Sequence, residues 1–262
     1  MAKSGQDESS GVASTRPAGR IATISAAPRP AGPGSAAPTA PAASRSWAEP
    51  AALFAILVVA IVATGIAPAE RRAWILELAP VFVGVPVMVA TRRRFPMTSL
   101  AYRLAFLLSL LLVVGGYFTY SHVPLGFWLE RTLHLSRNPY DRIVHFASGV
   151  AAAILARELV RRKTNLSPPW VFTVVTLGCL AGAAAYELLE WAAAMIMGGG
   201  ARDFLATQGD RWDTHWDMFT TFCGAILSLL VLGGYHERRM QDLLASHPEP
   251  RVRSSVTPRP GA

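Results

Sequence analysis

Six long apolar blocks govern what this chain can fold into, at about 51–67, 74–90, 100–121, 143–160, 170–197 and 216–235. Each is close to the roughly 20 residues a helix needs to cross a bilayer. Pro80 and Pro86 inside the second block would interrupt a soluble helix, but membrane spans accommodate proline because neighbouring groups satisfy the freed carbonyls. Only 16% of the 262 residues are charged and 52% are hydrophobic, against about 25% charged in an ordinary soluble domain. A soluble enzyme is excluded. The expected fold is all-α, a polytopic membrane bundle of about six transmembrane helices over residues 49–236.

The segments outside the blocks set the orientation. Residues 1–48 are rich in Ala, Pro, Ser and Gly without hydrophobic period, and are expected to form a disordered tail. A cleaved signal peptide is the alternative, but the first apolar block begins so far from the N-terminus that retention as a span is expected. Lys and Arg crowd the tail, the second and fourth loops and residues 237–262, the latter read as a C-terminal tail, while the other loops hold few. The positive-inside rule then makes both termini cytoplasmic. The net charge of +8 lies in short clusters between the blocks, which orients a membrane protein and argues against nucleic acid. Cys179 and Cys223 both sit inside blocks and give no disulfide framework. Residues 123–137, with Phe127 and Trp128 among charges, form either an interfacial helix or an irregular loop with aromatic anchors.

The candidate chemistry lies in three polar segments. Asp141 and His145 are four apart at the start of the fourth block, hence on one helix face. Glu187 and Glu190 are three apart near the end of the fifth, about 26 Å along its helix and near the edge of the hydrocarbon core. Carboxylates at that depth need protein, water or a cation. Asp210, Asp213, His215 and Asp217 cluster before the sixth block, interleaved with Trp212 and Trp216. With alternating helix directions all three segments meet at the outer face. Together Asp141, His145, Glu187, Glu190, Asp210, Asp213 and Asp217 form the candidate catalytic cluster. His145, Glu187, Glu190, Asp213 and Asp217 are the candidate ligands of a divalent cation such as Mg, Mn or Zn, for which carboxylates with imidazole suit. A hydrogen-bonded network, N-capping aspartates, or acids paired with Arg142 or Arg211 are the competing readings. Gly178 with Gly182, and the Gly149 to Ala153 stretch, are read as small faces for close helix packing.

Those segments carry a resemblance. Arg137-Asn138-Pro139-Tyr140-Asp141-Arg142-Ile143-Val144-His145-Phe146, Ala156-Arg157-Glu158, Tyr186-Glu187-Leu188-Leu189-Glu190-Trp191 and the run from Phe204 to Met218 resemble a YjdF-like family of bacterial inner-membrane proteins. The resemblance covers about 51–235. Ser148, Ala206 and His215 stand where the pattern has Gln, Gly and Gln. VanZ-like membrane proteins are similar more distantly, in an Asp-basic-x-x-His-Phe helix and an Asp-rich turn before a helix containing Gly224. The resemblance implies a multi-pass protein of the bacterial cytoplasmic membrane and supplies no settled activity.

Two functions compete. One is a metal-dependent enzyme acting on a lipid or envelope intermediate, with the lipid bilayer and an envelope-precursor ligand as partners. The other is a non-enzymatic cation or headgroup binding or transport protein, or a structural membrane partner. The chain has no Ser or Cys nucleophile motif, HExxH or P-loop, and no convincing broken helix of the kind transporters use.

Overall fold

The computed structural model describes residues 47–197 and 207–246. All but two residues of the expected N-terminal tail, and everything after Ser246, lie outside the described residues. Regular structure among them is entirely helical: α1 Ala48–Ile66, α2 Arg71–Glu77, α3 Ala79–Thr91, α4 Ser99–Phe118, α5 Pro124–Thr132, α6 Tyr140–Lys163, α7 Pro168–Met197 and α8 Asp213–Ser246. Five helices (α1, α4, α6, α7 and α8) are long and apolar enough to cross a membrane, and the bent pair α2–α3 makes up to a sixth, as a broken span or a re-entrant loop.

That break corrects the single helix expected over 74–90. The chain bends by 40° between α2 and α3. Leu78 closes α2 with its backbone N–H on the carbonyls of Leu76 and Trp74, and Pro80 falls in the first turn of α3. There the missing N–H of proline costs nothing, because first-turn N–H groups have no intrahelical partner. Pro80 therefore starts a helix, whereas Pro86 is carried inside α3.

A second difference lies at the C-terminus. The helix of the sixth block runs on to Ser246, past the boundary expected at residue 236. At 1.5 Å per residue α8 measures about 51 Å, well beyond a roughly 30 Å core, so its last turns leave the membrane. Between α4 and α6, residues 124–132 form the short helix α5, with Leu125, Phe127 and Trp128 exposed. Of the two alternatives for that segment, the helix is the one found.

α6 and α8 pack together more extensively than any other pair. A methyl group on Gly149 would run into the backbone carbonyl of Thr221, and one on Gly224 into that of Phe146. Two glycines thus let the helix backbones touch. The Thr221 hydroxyl then donates to the His145 carbonyl at 3.0 Å, and the Ser228 hydroxyl to that of Val150 at 3.0 Å. Gly178 and Gly182 behave differently. A side chain on either would meet nothing within 4 Å, so the packing expected of them is not what they do. They border a cavity instead.

The outer helices meet lipid. In α1 only Leu57 is buried, while Val59, Val62 and Ile66 are exposed, as required of a surface facing acyl chains. Reporter fusions after Arg162 and after Gln208 should report opposite sides of the membrane, since α7 separates them. Reporters found on one side would contradict six crossings.

The basic end of the bundle is tied together by Glu158, which is fully buried. Its carboxylate accepts from the Thr98 backbone N–H at 3.0 Å, the Thr98 hydroxyl at 2.8 Å and Arg162 at 3.2 Å. His236, also fully buried, places Nε2 3.0 Å from the same carboxylate and Nδ1 3.1 Å from Arg157. One side chain thereby joins the α3–α4 connection, α6 and α8.

Candidate metal centre

The other end of α6 is built around Asn138, 1% exposed. Its side-chain amide donates to the carbonyls of Ser121 and Val123, and its Oδ1 accepts the Tyr140 N–H. Its backbone exchanges two 3.0 Å hydrogen bonds with the side chain of Gln208. The loop after α4, the start of α6 and the loop before α8 are locked in one register, which brings the first turns of α6 and α8 together.

From those turns project Asp141, His145 and Asp217. One ligand atom of each lies within 4.8 Å of the other two. His145 Nε2 is 3.6 Å from Asp141 Oδ1 and 3.9 Å from Glu187 Oε1 on α7. Asp141, Glu187 and Asp217 are all less than 10% exposed. Asp217 Oδ1 and Glu187 Oε1 are buried without a hydrogen-bond donor, a state that an N–H or O–H donor or a metal ion relieves in a protein interior.

The remaining acids group differently. Asp213 is ion-paired with Arg137 at short range, and Arg137 also lies 3.8 Å from Asp141 and 3.9 Å from Asp210. Asp210 holds Arg142 at 2.6 Å, and Arg142 sits over the Trp216 ring. Asp210 stands in the loop, where donation from the Trp212 backbone N–H, with Arg142 and Arg137 acting in the same sense, keeps its carboxyl below the ordinary Asp value. Both residues are thus neutralised by arginine; Asp141 shares Arg137 at the longer 3.8 Å, and Glu187 and Asp217 keep carboxylate oxygens without a donor, so Asp141, His145, Glu187 and Asp217 are the set left for a cation. The competing pairing of Glu187 and Glu190 with Arg142 or Arg211 does not occur among the described ion pairs: Arg142 holds Asp210, and Arg211 lies over Trp212.

Glu190 faces a neighbouring space. A cavity of about 320 Å³ is lined at its polar end by Glu77, Tyr120, Asp141, His145, Tyr186 and Glu190. Apart from Ser148 and Thr221 its other walls are apolar, among them Leu108, Leu112, Ala152, Gly178, Cys179 and Gly182. Asp141 and His145 belong to both the cluster and the cavity wall. Glu187 and Asp217 are not among the residues lining the cavity, so the seven candidates divide into three adjoining groups rather than one.

Sequence reasoning missed Glu77, Tyr120, Tyr186 and the bridging role of Arg137. The signal for Glu77 was present, because it is the acid inside the second apolar block, and such a group is a candidate by position alone. The helix break at Leu78 puts it in place. His215, a weak candidate by the pattern, is edge-on to Trp212 rather than in the cluster.

Comparison with known proteins identifies the family. Residues 50–238 match the family described as Predicted membrane protein (DUF2238). The chain is 44% identical over 186 residues to Inner membrane protein YjdF of Escherichia coli (strain K12), covering 71% of this chain and 89% of that protein. No solved structure matches. The match begins within α1 and ends within α8, so it takes in every helix that builds the cluster, and the chain belongs to the DUF2238 family of predicted membrane proteins.

Proposed function

We propose that the chain is a metal-dependent membrane enzyme whose substrate is a lipid or a lipid-linked envelope intermediate, with a divalent cation held by Asp141, His145, Glu187 and Asp217. The observation that carries the reading is the approach of three ligand atoms to within 4.8 Å beside two buried carboxylate oxygens that lack donors. Two ligands at about 2.1 Å from one ion stand about 4.2 Å apart if trans and about 3.4 Å apart in a tetrahedral site, so closure of the widest pair by roughly 0.6 to 1.4 Å completes a site. Three carboxylates and one imidazole suit Mn or Zn, and Mg with added water. Such an ion would polarise a phosphoryl or carbonyl oxygen or lower the pKa of a bound water.

The cavity supports the substrate class. Its apolar wall between membrane spans fits a hydrocarbon chain, and its polar end brings a headgroup to Asp141 and His145. By the charge asymmetry of the loops this end faces away from the cytoplasm, with both termini inside. Arg137 and Arg142 would position the carboxylates rather than touch the ion.

A second reading, cation or headgroup transport, is favoured by one specific feature. The broken span α2–α3 delivers Glu77 to the cavity, and discontinuous helices often build transport sites. Metal analysis of protein purified without chelator should find about one equivalent in wild type and a loss of at least tenfold in Asp217→Asn. The restored metal form should convert an added lipid phosphoester in vesicles. No metal in wild type overturns the centre, whereas metal with ion flux and no turnover favours the transport reading.

A further inference from the structure

At the opposite, basic end of the bundle lies a groove of about 450 Å³ between α6, α7 and α8. Arg157 and Arg161 border it from α6, Val171 and Phe172 from α7, and Gly233, Gly234 and Glu237 from α8. We propose that this groove binds the phosphate of an anionic membrane lipid, with Arg157 and Arg161 as its ligands and the first methylenes of the acyl chains against Val171, Phe172 and Leu229.

Charge is the first argument. Arg157 and Arg161 both bond to Glu237, at 2.7 and 2.9 Å, so two guanidiniums share one carboxylate. The neighbouring acid, Glu158, is sealed off and committed to Thr98, Arg162 and His236. One positive charge is therefore left over at the groove, and Arg161 keeps a buried Nε without an acceptor. Guanidinium groups match phosphate oxygens in a planar, bidentate fashion.

Shape is the second. A side chain on Gly233 or Gly234 would meet nothing within 4 Å, so the groove floor is bare helix backbone with open space above it. Depth is the third. Gly233 comes twenty residues after Asp213, about 30 Å along α8, which is the thickness of a hydrocarbon core. The groove therefore sits at headgroup level on the far side from the metal cluster. Leu230 and Val231, the turn before, are 68% and 65% exposed, which leaves the acyl chains a lipid-facing surface to follow. Basic pockets between spans on the positive side are suited to anionic headgroups.

The test uses the full-length protein in a neutral detergent, with melting followed as phosphatidylglycerol, phosphatidylcholine or inorganic phosphate is added. Phosphatidylglycerol should raise the midpoint by several degrees and phosphatidylcholine should not. Gly234→Leu fills the groove without touching a charge, and should abolish the shift while melting like wild type in phosphatidylcholine. Arg161→Gln should reduce the shift at least by half. An equal response to both lipids, or a full response retained by Gly234→Leu, overturns the proposal. So does inorganic phosphate at about 10 mM reproducing the shift, because the groove would then be a free-anion site.

Discussion

Glu158→Ala should be the most damaging single substitution at the basic end, costing about 3 to 5 kcal/mol, the range for breaking one side of a buried charged pair. The carboxylate satisfies Thr98 twice, Arg162 and His236 from a fully buried position. Its removal strands donors on three elements where water does not reach, and an unpaired buried donor costs far more than a made hydrogen bond gains. For a domain of this size the loss corresponds to a fall of about 10 °C in melting midpoint. Glu158→Gln keeps the shape and part of the accepting capacity, and should fall between wild type and Glu158→Ala. Glu49→Gln, which removes an exposed pair with Arg103, should leave the midpoint unchanged. Melting of the three variants in one detergent checks the order; Glu158→Ala melting with Glu49→Gln would show that the network does not tie the bundle.

The contrast between these two acids explains what the sequence can disclose. The spans were legible because hydrophobic length is a local property, and residues 100–121, 143–160 and 170–197 reappear as α4, α6 and α7 with small shifts of boundary. The start of α3 was not, since whether Pro80 bends a span or begins one depends on how Leu78 terminates the turn before it. Glu158 and His236 lie 78 positions apart, and no local pattern links them. The convergence of His145, Glu187 and Asp217 was inferable from alternating helix direction, which fixes depth, whereas Glu190, expected with them, lines the neighbouring cavity. Depth does not fix rotation, so the same reasoning could not separate Asp213, turned to Arg137, from Asp217, which has a carboxylate oxygen without a donor. Small residues pose the same problem. Gly149 and Gly178 are alike in sequence context, yet one meets a helix backbone and the other borders open space, because only the neighbouring helix decides which use a gap receives.

Chelation of the metal-loaded protein should lower its melting midpoint at neutral pH. An ion present at 100 times its Kd stabilises the folded state by about 2.7 kcal/mol, so its removal corresponds to about 5 to 10 °C. Removing the ion also leaves Asp141, Glu187 and Asp217 facing one another from within 10% exposure, with Arg142 engaged by Asp210 and Arg137 shared between Asp213 and, at 3.8 Å, Asp141. Repulsion among buried like charges is poorly screened. The variants therefore carry a signature beyond simple loss. Asp217→Asn and Glu187→Gln each remove one ligand and one negative charge, so they should melt below wild type with metal present but at or above it in chelator. Glu130→Gln, on α5 and outside the cluster, should keep the full wild-type response. A merely structural role for the carboxylates predicts lower midpoints for both variants in both conditions, with no exchange of rank. That pattern, together with a wild type indifferent to chelator, would replace the metal centre with a hydrogen-bonded network.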